Sequence, residues 1–397
     1  MSRDIFIFAG GGTGGHLYPG LAVAEELVRQ RPGAGIVFAC SYRQIDRQIL
    51  DAAPYAVVGQ PIRPAPRIGG LWKFLTSYVA SSRQARDMIA DLKPSAVLGL
   101  GGFAAVPLVR AARDAGVPAG FLNPDAVPGK ANRFLARAAD AIFGQFDSTA
   151  AHFPPGVRAK FRATGCPIRK EFGDTDRAAA IAELGLRSDR KTLLVCGGSL
   201  GAQSINGAVA AMVHDLDTLA ERWQLLHVTG SGKGGAAGAA GDLSAKTLMP
   251  VRTMEYCKRM DLAYAAADLA LCRAGASTIA ELCAVGRPAI ILPYPYHRDQ
   301  HQRLNALAMV QAGAAEIVPD RIDPQINAEA LREKLVPLMK DDARLETMRR
   351  ASAGLGKPSA AAEVARWMAE IGDRGPGPAL PGFAVARTGD PEKERRC

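Results

Sequence analysis

One order of elements occurs twice in this chain: an apolar strand, a glycine turn, then a helix. Ile5-Phe6-Ile7-Phe8-Ala9 breaks into Gly10-Gly11-Gly12-Thr13-Gly14-Gly15-His16 and resumes as a helical pattern over 17–29. Thr192–Cys196 repeats the strand, and Gly197-Gly198-Ser199-Leu200-Gly201 repeats the turn. The helix returns over 202–213, with Ile205, Ala208, Val209, Met212 and Val213 at the spacing of a buried face. Turns of this kind let backbone approach an anionic ligand and aim the N–H groups of a helix start at it. Further strands are expected at Gly35–Ala39, Ala96–Leu100, Ala119–Leu122 and Ala141–Gly144. The second half adds Gln224–Val228, Lys246–Met249, Asp268–Cys272 and Ala289–Leu292, alternating with helices. The pattern predicts an α/β fold of two doubly wound domains facing each other across a cleft, with the boundary near Thr164–Asp176.

No apolar run reaches the roughly 18 residues of a spanning helix, and no secretory leader is evident. None of the seven cysteines pairs as C-x-x-C, so they are expected as buried thiols rather than a metal site or disulfides. The net charge of +10 points to an acidic partner. Nucleic acid is not expected, because no recognised binding module is present. Within Ile62–Lys93, Trp72, Phe74, Leu75 and Tyr78 mix with Arg63, Arg67, Lys73, Arg83 and Arg86. Such a segment suits either an anionic membrane surface or a helix packed in its own core.

The glycine turns admit several ligands. Gly10-x-Gly12-x-x-Gly15 matches the dinucleotide fingerprint, but that fingerprint wants an acid about 20 residues on, where this chain has Ala39-Cys40-Ser41. A nicotinamide enzyme is therefore disfavoured, and so is a Walker loop, because Gly232-Lys233 is followed by Gly234 rather than Ser or Thr. His16 is the one titratable group in its turn and suggests proton transfer. Ser277 and Glu281 are four apart on one helix face, where a carboxylate can take a ribose diol. Gln302 and Asn305 share a face that can read sugar hydroxyls, and Asp299 can cap that helix. Asp174-x-Asp176 and Asp215-x-Asp217 look like metal-binding pairs but follow no clear strand, so no metal is expected.

Six motifs in register resemble one family. They are the turn ending in His16; Gly101-Gly102-Phe103; Pro128-Gly129-x-x-Asn132-Arg133; Gly197-Gly198-Ser199-x-Gly201-Ala202; Arg273-Ala274-Gly275-Ala276-Ser277-Thr278 through Glu281; and His301-Gln302-x-x-Asn305-Ala306. Over residues 4 to 371 the chain resembles the MurG family, hexosyltransferases that act in peptidoglycan synthesis. The resemblance implies a GT-B fold of two Rossmann-like domains and no cofactor. It implies an acceptor domain over 1–165, a donor domain over 166–355, a helix over 356–372 returning to the first domain, and a disordered tail over 373–397. The implied reaction is inverting transfer from UDP-GlcNAc to the 4-hydroxyl of undecaprenyl-diphosphate-linked muramoyl-pentapeptide, at the cytoplasmic face of a membrane with anionic inner-membrane lipid.

By the same resemblance, Glu281 takes the ribose, Ser199 and Arg169 meet the diphosphate, Gln302 faces the donor sugar and Cys257 lies at the uracil edge. Thr13, Gly14 and Gly15 are expected beside the donor; Gly14 and Gly15, with Gly102, also cradle the acceptor's diphosphate. Gly102, Phe103 and Asn132 belong to the acceptor side. His16 is the candidate base or positions the hydroxyl, and Asp125 orients His16 or the acceptor sugar. Asn123-Pro124-Asp125 stands where the family usually has Glu-Gln-Asn, and Phe103 where it has Tyr. Alternatives are a transferase acting on another lipid, a nucleotide-sugar epimerase, or a silent nucleotide-sugar binder.

Overall fold

The computed structural model describes residues 4–63, 70–198, 201–230, 243–296 and 300–373. Two sheets organise them. The first runs β3-β2-β1-β4-β5-β6-β7. Its strands are β1 Ile5–Gly10, β2 Gly35–Ser41, β3 Ala56–Gln60, β4 Ala96–Gly101, β5 Ala119–Asn123, β6 Ala141–Gly144 and β7 Phe161–Arg162. The second runs β10-β9-β8-β11-β12-β13. It comprises β8 Lys191–Cys196, β9 Trp223–Val228, β10 Val251–Met254, β11 Leu269–Cys272, β12 Ala289–Ile291 and β13 Ala315–Ile317. Every pairing is parallel. Parallel strands need cover on both faces, which is why β1 and β4 are almost wholly apolar and buried and β8 is so from Leu193 on.

β1 and β8 hold equivalent places, each where the strand order of its sheet reverses. Loops leaving such strands open a crevice at the carboxyl edge. The crevices of both sheets are built from the glycine turns singled out in the sequence. Three elements differ from expectation. The helix after β1 is Gly14–Gln30, so His16 sits in its first turn rather than in the preceding loop. The strand expected at 246–249 lies instead at Val251–Met254. Pro250 has no N–H for the ladder, but its carbonyl accepts the N–H of Leu225, and pairing begins one residue later. The helix expected from Asp299 is His301–Gln311, entered through Gln300 in a left-handed conformation (φ 47°); Asp299 lies outside the described residues. β3, β7 and β13 had no clear signal because they are short strands at sheet edges. Residues 231–242, which take in all but the first residue of the loop expected at 230–241, also lie outside the described residues.

The first sheet has different cover on its two faces. Helices Leu71–Leu92, Val106–Asp114 and Lys130–Leu135 lie on one face through Ala85, Ile89, Leu108, Val109 and Leu135. Helices Gly14–Gln30 and Ala360–Asp373 lie on the other, through Leu17, Val23, Leu27, Val364 and Met368. The chain thus returns from the second sheet to finish the first. Trp367 stacks edge-on against Phe143 of β6 at 5.2 Å. It also occupies the space beside Gly120 of β5, where an added Cβ would lie 3.0 Å from its ring. Arg31 bonds Asp373, which still belongs to this helix; the tail expected beyond it, 374–397, lies outside the described residues.

Trp367 is 6% exposed, so Trp367→Ala removes a large buried ring and leaves a cavity beside Gly120. The variant is expected to lose about 3–5 kcal/mol in urea unfolding followed by circular dichroism. A loss under about 1 kcal/mol would mean that the returning helix contributes little to the first sheet.

Candidate active site

A cleft of about 450 Å³ lies where the two switch-point crevices meet. Its first wall is the loop after β1 and the start of helix Gly14–Gln30. Gly12 N–H donates to the buried carboxylate of Asp46 at 2.6 Å, and the Ser41 hydroxyl donates to the same group. The acid of this region therefore holds the glycine loop itself instead of a ribose. Thr13 offers no cap to the helix start, and neither does Gly275 to helix Ala276–Ala284. Both helix starts reach the cleft with first-turn N–H groups available to an anion.

His16 lies flat on the Gly101-Gly102 turn. An added Cβ at Gly101, whose φ is 112°, would lie 2.9 Å from His16 Cδ2, so only glycine suits both backbone and ring. Nδ1 lies 3.0 Å from the Gly11 carbonyl oxygen. A carbonyl only accepts, so in the neutral ring this assigns the proton to Nδ1 and leaves Nε2 with its lone pair. Asp125 faces the same cleft, but its Oδ1 accepts from Asn305 Nδ2 at 2.9 Å, a residue of the second sheet's layer. Among the described residues the structure shows no bond from Asp125 to His16, whose Nδ1 has Gly11 and Thr13 as neighbours.

The second wall carries Glu281, Arg169, Cys257, Gln302, Tyr256 and Arg273. Burial pushes the Glu281 carboxyl up to about 8, against the opposing pull of the Arg169 guanidinium and a hydrogen bond from Tyr264. Arg169 stacks over Tyr18 at 5.4 Å and over Phe172 at 5.3 Å, which fixes its charge at the junction of the two walls. Gln302 Oε1 accepts from the N–H groups of Ala274 and Tyr294 at 3.3 and 2.9 Å, leaving its amide nitrogen for the cleft. Burial raises the Cys257 thiol, which makes it an apolar wall rather than a nucleophile. Arg273 is pinned by Asp320 at 2.7 Å, Ser204 at 2.8 Å and the Leu292 carbonyl at 2.9 Å, and so braces the loop after β11.

The structure thus gathers Thr13, Gly14, Gly15, His16, Asp125, Arg169, Cys257, Glu281 and Gln302 around one cleft. Ser199 lies outside the described residues. Gly102 touches His16 from behind, and Phe103 packs edge-on against Phe74 at 5.7 Å. Asn132 stands behind the acceptor loop: it is 8% exposed and donates to Asn123 Oδ1 and the Leu122 carbonyl. Asn305 is fully buried and reads no sugar. Asp176 caps a helix, Asp217 accepts from Thr247 and Leu248, and Asp174 and Asp215 pair with Lys170 and Arg332; none lines the cleft. Tyr18 and Tyr256, whose hydroxyls meet across the cleft at 3.5 Å, had no sequence signal because neither stands in a patterned position.

Residues 6–144 match the N-terminal domain of glycosyltransferase family 28, and residues 192–364 match its C-terminal domain. A UDP-N-acetylglucosamine–N-acetylmuramyl-(pentapeptide) pyrophosphoryl-undecaprenol N-acetylglucosamine transferase of Halothermothrix orenii is 36% identical over 360 residues, covering 89% of this chain and 95% of its own. The chain belongs to this transferase family. A member from Chlorobaculum parvum is 38% identical over 365 residues, 90% of this chain and 97% of that one. The crystal structure of Acinetobacter baumannii MurG superposes with a TM-score of 0.71 at 24% identity, covering 92% of this chain and 99% of the other. A UDP-GlcNAc 2-epimerase from Neisseria meningitidis, bound to UDP-GlcNAc, shares the fold at 0.65 and 16% identity, over 92% of this chain and 99% of its own. The fold is GT-B.

The Glu281 carboxyl has a pH signature. Its folded value of about 8 lies above the ordinary 4.5, so the folded protein holds a proton that the unfolded chain releases. Stability from this group is full below pH 4.5 and is lost as pH rises through 8. Glu281→Gln is expected to raise the melting temperature relative to the parent, with a gap that widens from pH 5 to pH 9. A constant gap in scanning calorimetry would contradict the desolvation of this carboxyl.

Proposed function

We propose that this chain transfers N-acetylglucosamine from UDP-N-acetylglucosamine to the 4-hydroxyl of muramoyl-pentapeptide carried on undecaprenyl diphosphate, with inversion at the anomeric carbon. One observation carries the residue assignments. A desolvated carboxylate and an uncapped helix start on one wall face a histidine with a free Nε2 on the other. Residues 1–165 form the acceptor domain, 166–355 the donor domain and 356–372 the return. Glu281 takes the two ribose hydroxyls, and Arg169 and the helix start at Ala276 meet the diphosphate, with Thr13, Gly14 and Gly15 closing over it from the first wall. Gln302 turns its amide nitrogen to the sugar, and Cys257 walls the base. The acceptor diphosphate lies against Gly14, Gly15 and Gly102.

The acceptor oxygen attacks C1 while the bond from C1 to the β-phosphate oxygen breaks. UDP leaves with that electron pair, and the hydroxyl proton passes to His16 Nε2. Asp125 keeps Oδ2 for the acceptor sugar. Backbone N–H groups and Arg169 stabilise the charge gathering on UDP. Transfer of labelled N-acetylglucosamine to the lipid-linked acceptor tests the reaction; UDP binding without transfer would favour a silent nucleotide-sugar binder. His16→Ala is expected to lower kcat by about 10²–10⁴ with the UDP dissociation constant unchanged. A near-normal kcat would remove His16 from proton transfer.

The acceptor's lipid tail fits a peripheral position on an anionic membrane. Among the described residues no helix is long and apolar enough to cross one. Helix Leu71–Leu92 packs through Ser77, Ser81, Ala85, Met88 and Ile89 and leaves Trp72, Leu75 and Val79 exposed, Trp72 at 75%. One face of this helix is thus packed in the core, and the exposed face supports the membrane reading. Phe134, under the Arg110 guanidinium at 5.3 Å, adds another exposed ring from the same helical layer. Vesicles of anionic lipid are expected to bind the protein at low salt and release it at high salt, with Trp72→Ser and Lys73→Gln weakening capture. Capture indifferent to salt would contradict the electrostatic part.

A further inference from the structure

Two contacts between the walls, one of them fully buried, remain unused by the chemistry above. Asn305 sends its whole side-chain amide across the cleft floor. Oδ1 accepts the Ala126 N–H at 2.8 Å; Nδ2 donates to Asp125 Oδ1 at 2.9 Å and to the Ala274 carbonyl at 3.1 Å. Gln145, from the end of β6, reaches the opposite way. With its nitrogen facing the two carbonyls beside it, it donates to Ala276 O at 3.0 Å and Pro124 O at 3.2 Å. Both amides therefore join the same two short segments, Pro124-Asp125-Ala126 of the first wall and Ala274-Gly275-Ala276 of the second.

Ala274 links this junction to the donor. Its N–H is held by Gln302 and its carbonyl by Asn305, so the sugar-facing amide and the bond to Asp125 are separated by one residue. The far side of the acceptor loop is equally constrained: Asn132 holds Asn123, Asn123 Nδ2 holds the Asp125 carbonyl, and Thr149 holds the Ala126 carbonyl. Asp125 thus has little freedom except through Asn305. A buried amide with all of its hydrogen bonds made, as Asn305 has, permits one relative placement of the two sides, because a slipped one leaves amide groups unpaired.

We propose that Asn305 and Gln145 are positioning residues, an amide clasp through which donor binding at the Ala274–Ala276 turn sets Asp125 for the acceptor. The proposal rests on the assignment of the two walls to donor and acceptor. Its test needs no turnover. Hydrogen–deuterium exchange of 123–127 is measured with and without UDP, a probe assigned to the second wall and, on the first, to 13–15 but not to 123–127. In the parent, UDP is expected to slow exchange in this segment. Asn305→Asp keeps the shape and the Ala126 contact but sets a carboxylate against Asp125 and the Ala274 carbonyl. It is expected to abolish the UDP effect and lower kcat by about tenfold or more, with UDP affinity within about threefold of the parent. Adding Asp125→Asn restores a donor–acceptor pair and should recover the UDP effect.

Should Asn305→Asp fail to fold, Gln145→Met removes two donors from a partly exposed site and should reduce the same effect. Persistence of UDP protection in a folded variant overturns the clasp. So does a fall in UDP affinity matching the fall in kcat, which marks damage to the donor wall alone. Absence of transfer in the parent, with the exchange response intact, would instead overturn the proposed reaction.

Discussion

A departing diphosphate needs hydrogen-bond donors that the protein has not already used. A helix start supplies them only if its own cap leaves them alone and no neighbouring carboxylate fills the space. The first condition holds at Gly14 and Ala276, where Thr13 and Gly275 make no side-chain cap. The nearby acid of the first wall, Asp46, is turned inward to Gly12 and Ser41. Much else follows from keeping these amides open. Strand order must reverse at β1 and β8 so that the helix starts face one crevice, and Gly101 must lack a side chain so that His16 can lie beside one of them.

The cleft accordingly holds polar groups at a cost. Burial pushes the Glu281 carboxyl up to about 8, and Gln302 uses only the oxygen of its amide on the backbone. Compensation comes from the loops around it. Arg273 is fixed at three points, and Asn305 makes three bonds with no exposure to solvent. Rigid supports behind an unsatisfied front are what preorganised binding requires.

Much of this arrangement was legible in the chain itself, because it depends on local pattern. The apolar runs at β1 and β8, with glycines after each, announce parallel strands and anion turns, and Glu281 stands out as a lone acid among small residues. What failed to show was nonlocal. The position of β10 depended on which carbonyl meets Leu225. Asn305 and Asn132 look like surface polar residues until the burying partner, 180 and nine residues away respectively, is known. The Trp72 helix carries its apolar residues on two faces, and periodicity alone does not say which face meets the core. Tyr18 and Tyr256 meet only because two separate sheets do.

The return of helix Ala360–Asp373 to the first sheet has a consequence for how the chain is made. Val364, Trp367 and Met368 belong to the same apolar cluster as Phe6 and Phe8, yet a ribosome delivers them more than three hundred and fifty residues later. During synthesis the first sheet can be completed on the side covered by helices Leu71–Leu92 and Val106–Asp114. Its other side stays partly bare until the second sheet has emerged. One face of the first sheet is therefore finished only by the last helix, and its apolar surface stays incompletely covered for most of translation, the kind of exposure that favours aggregation of a nascent chain.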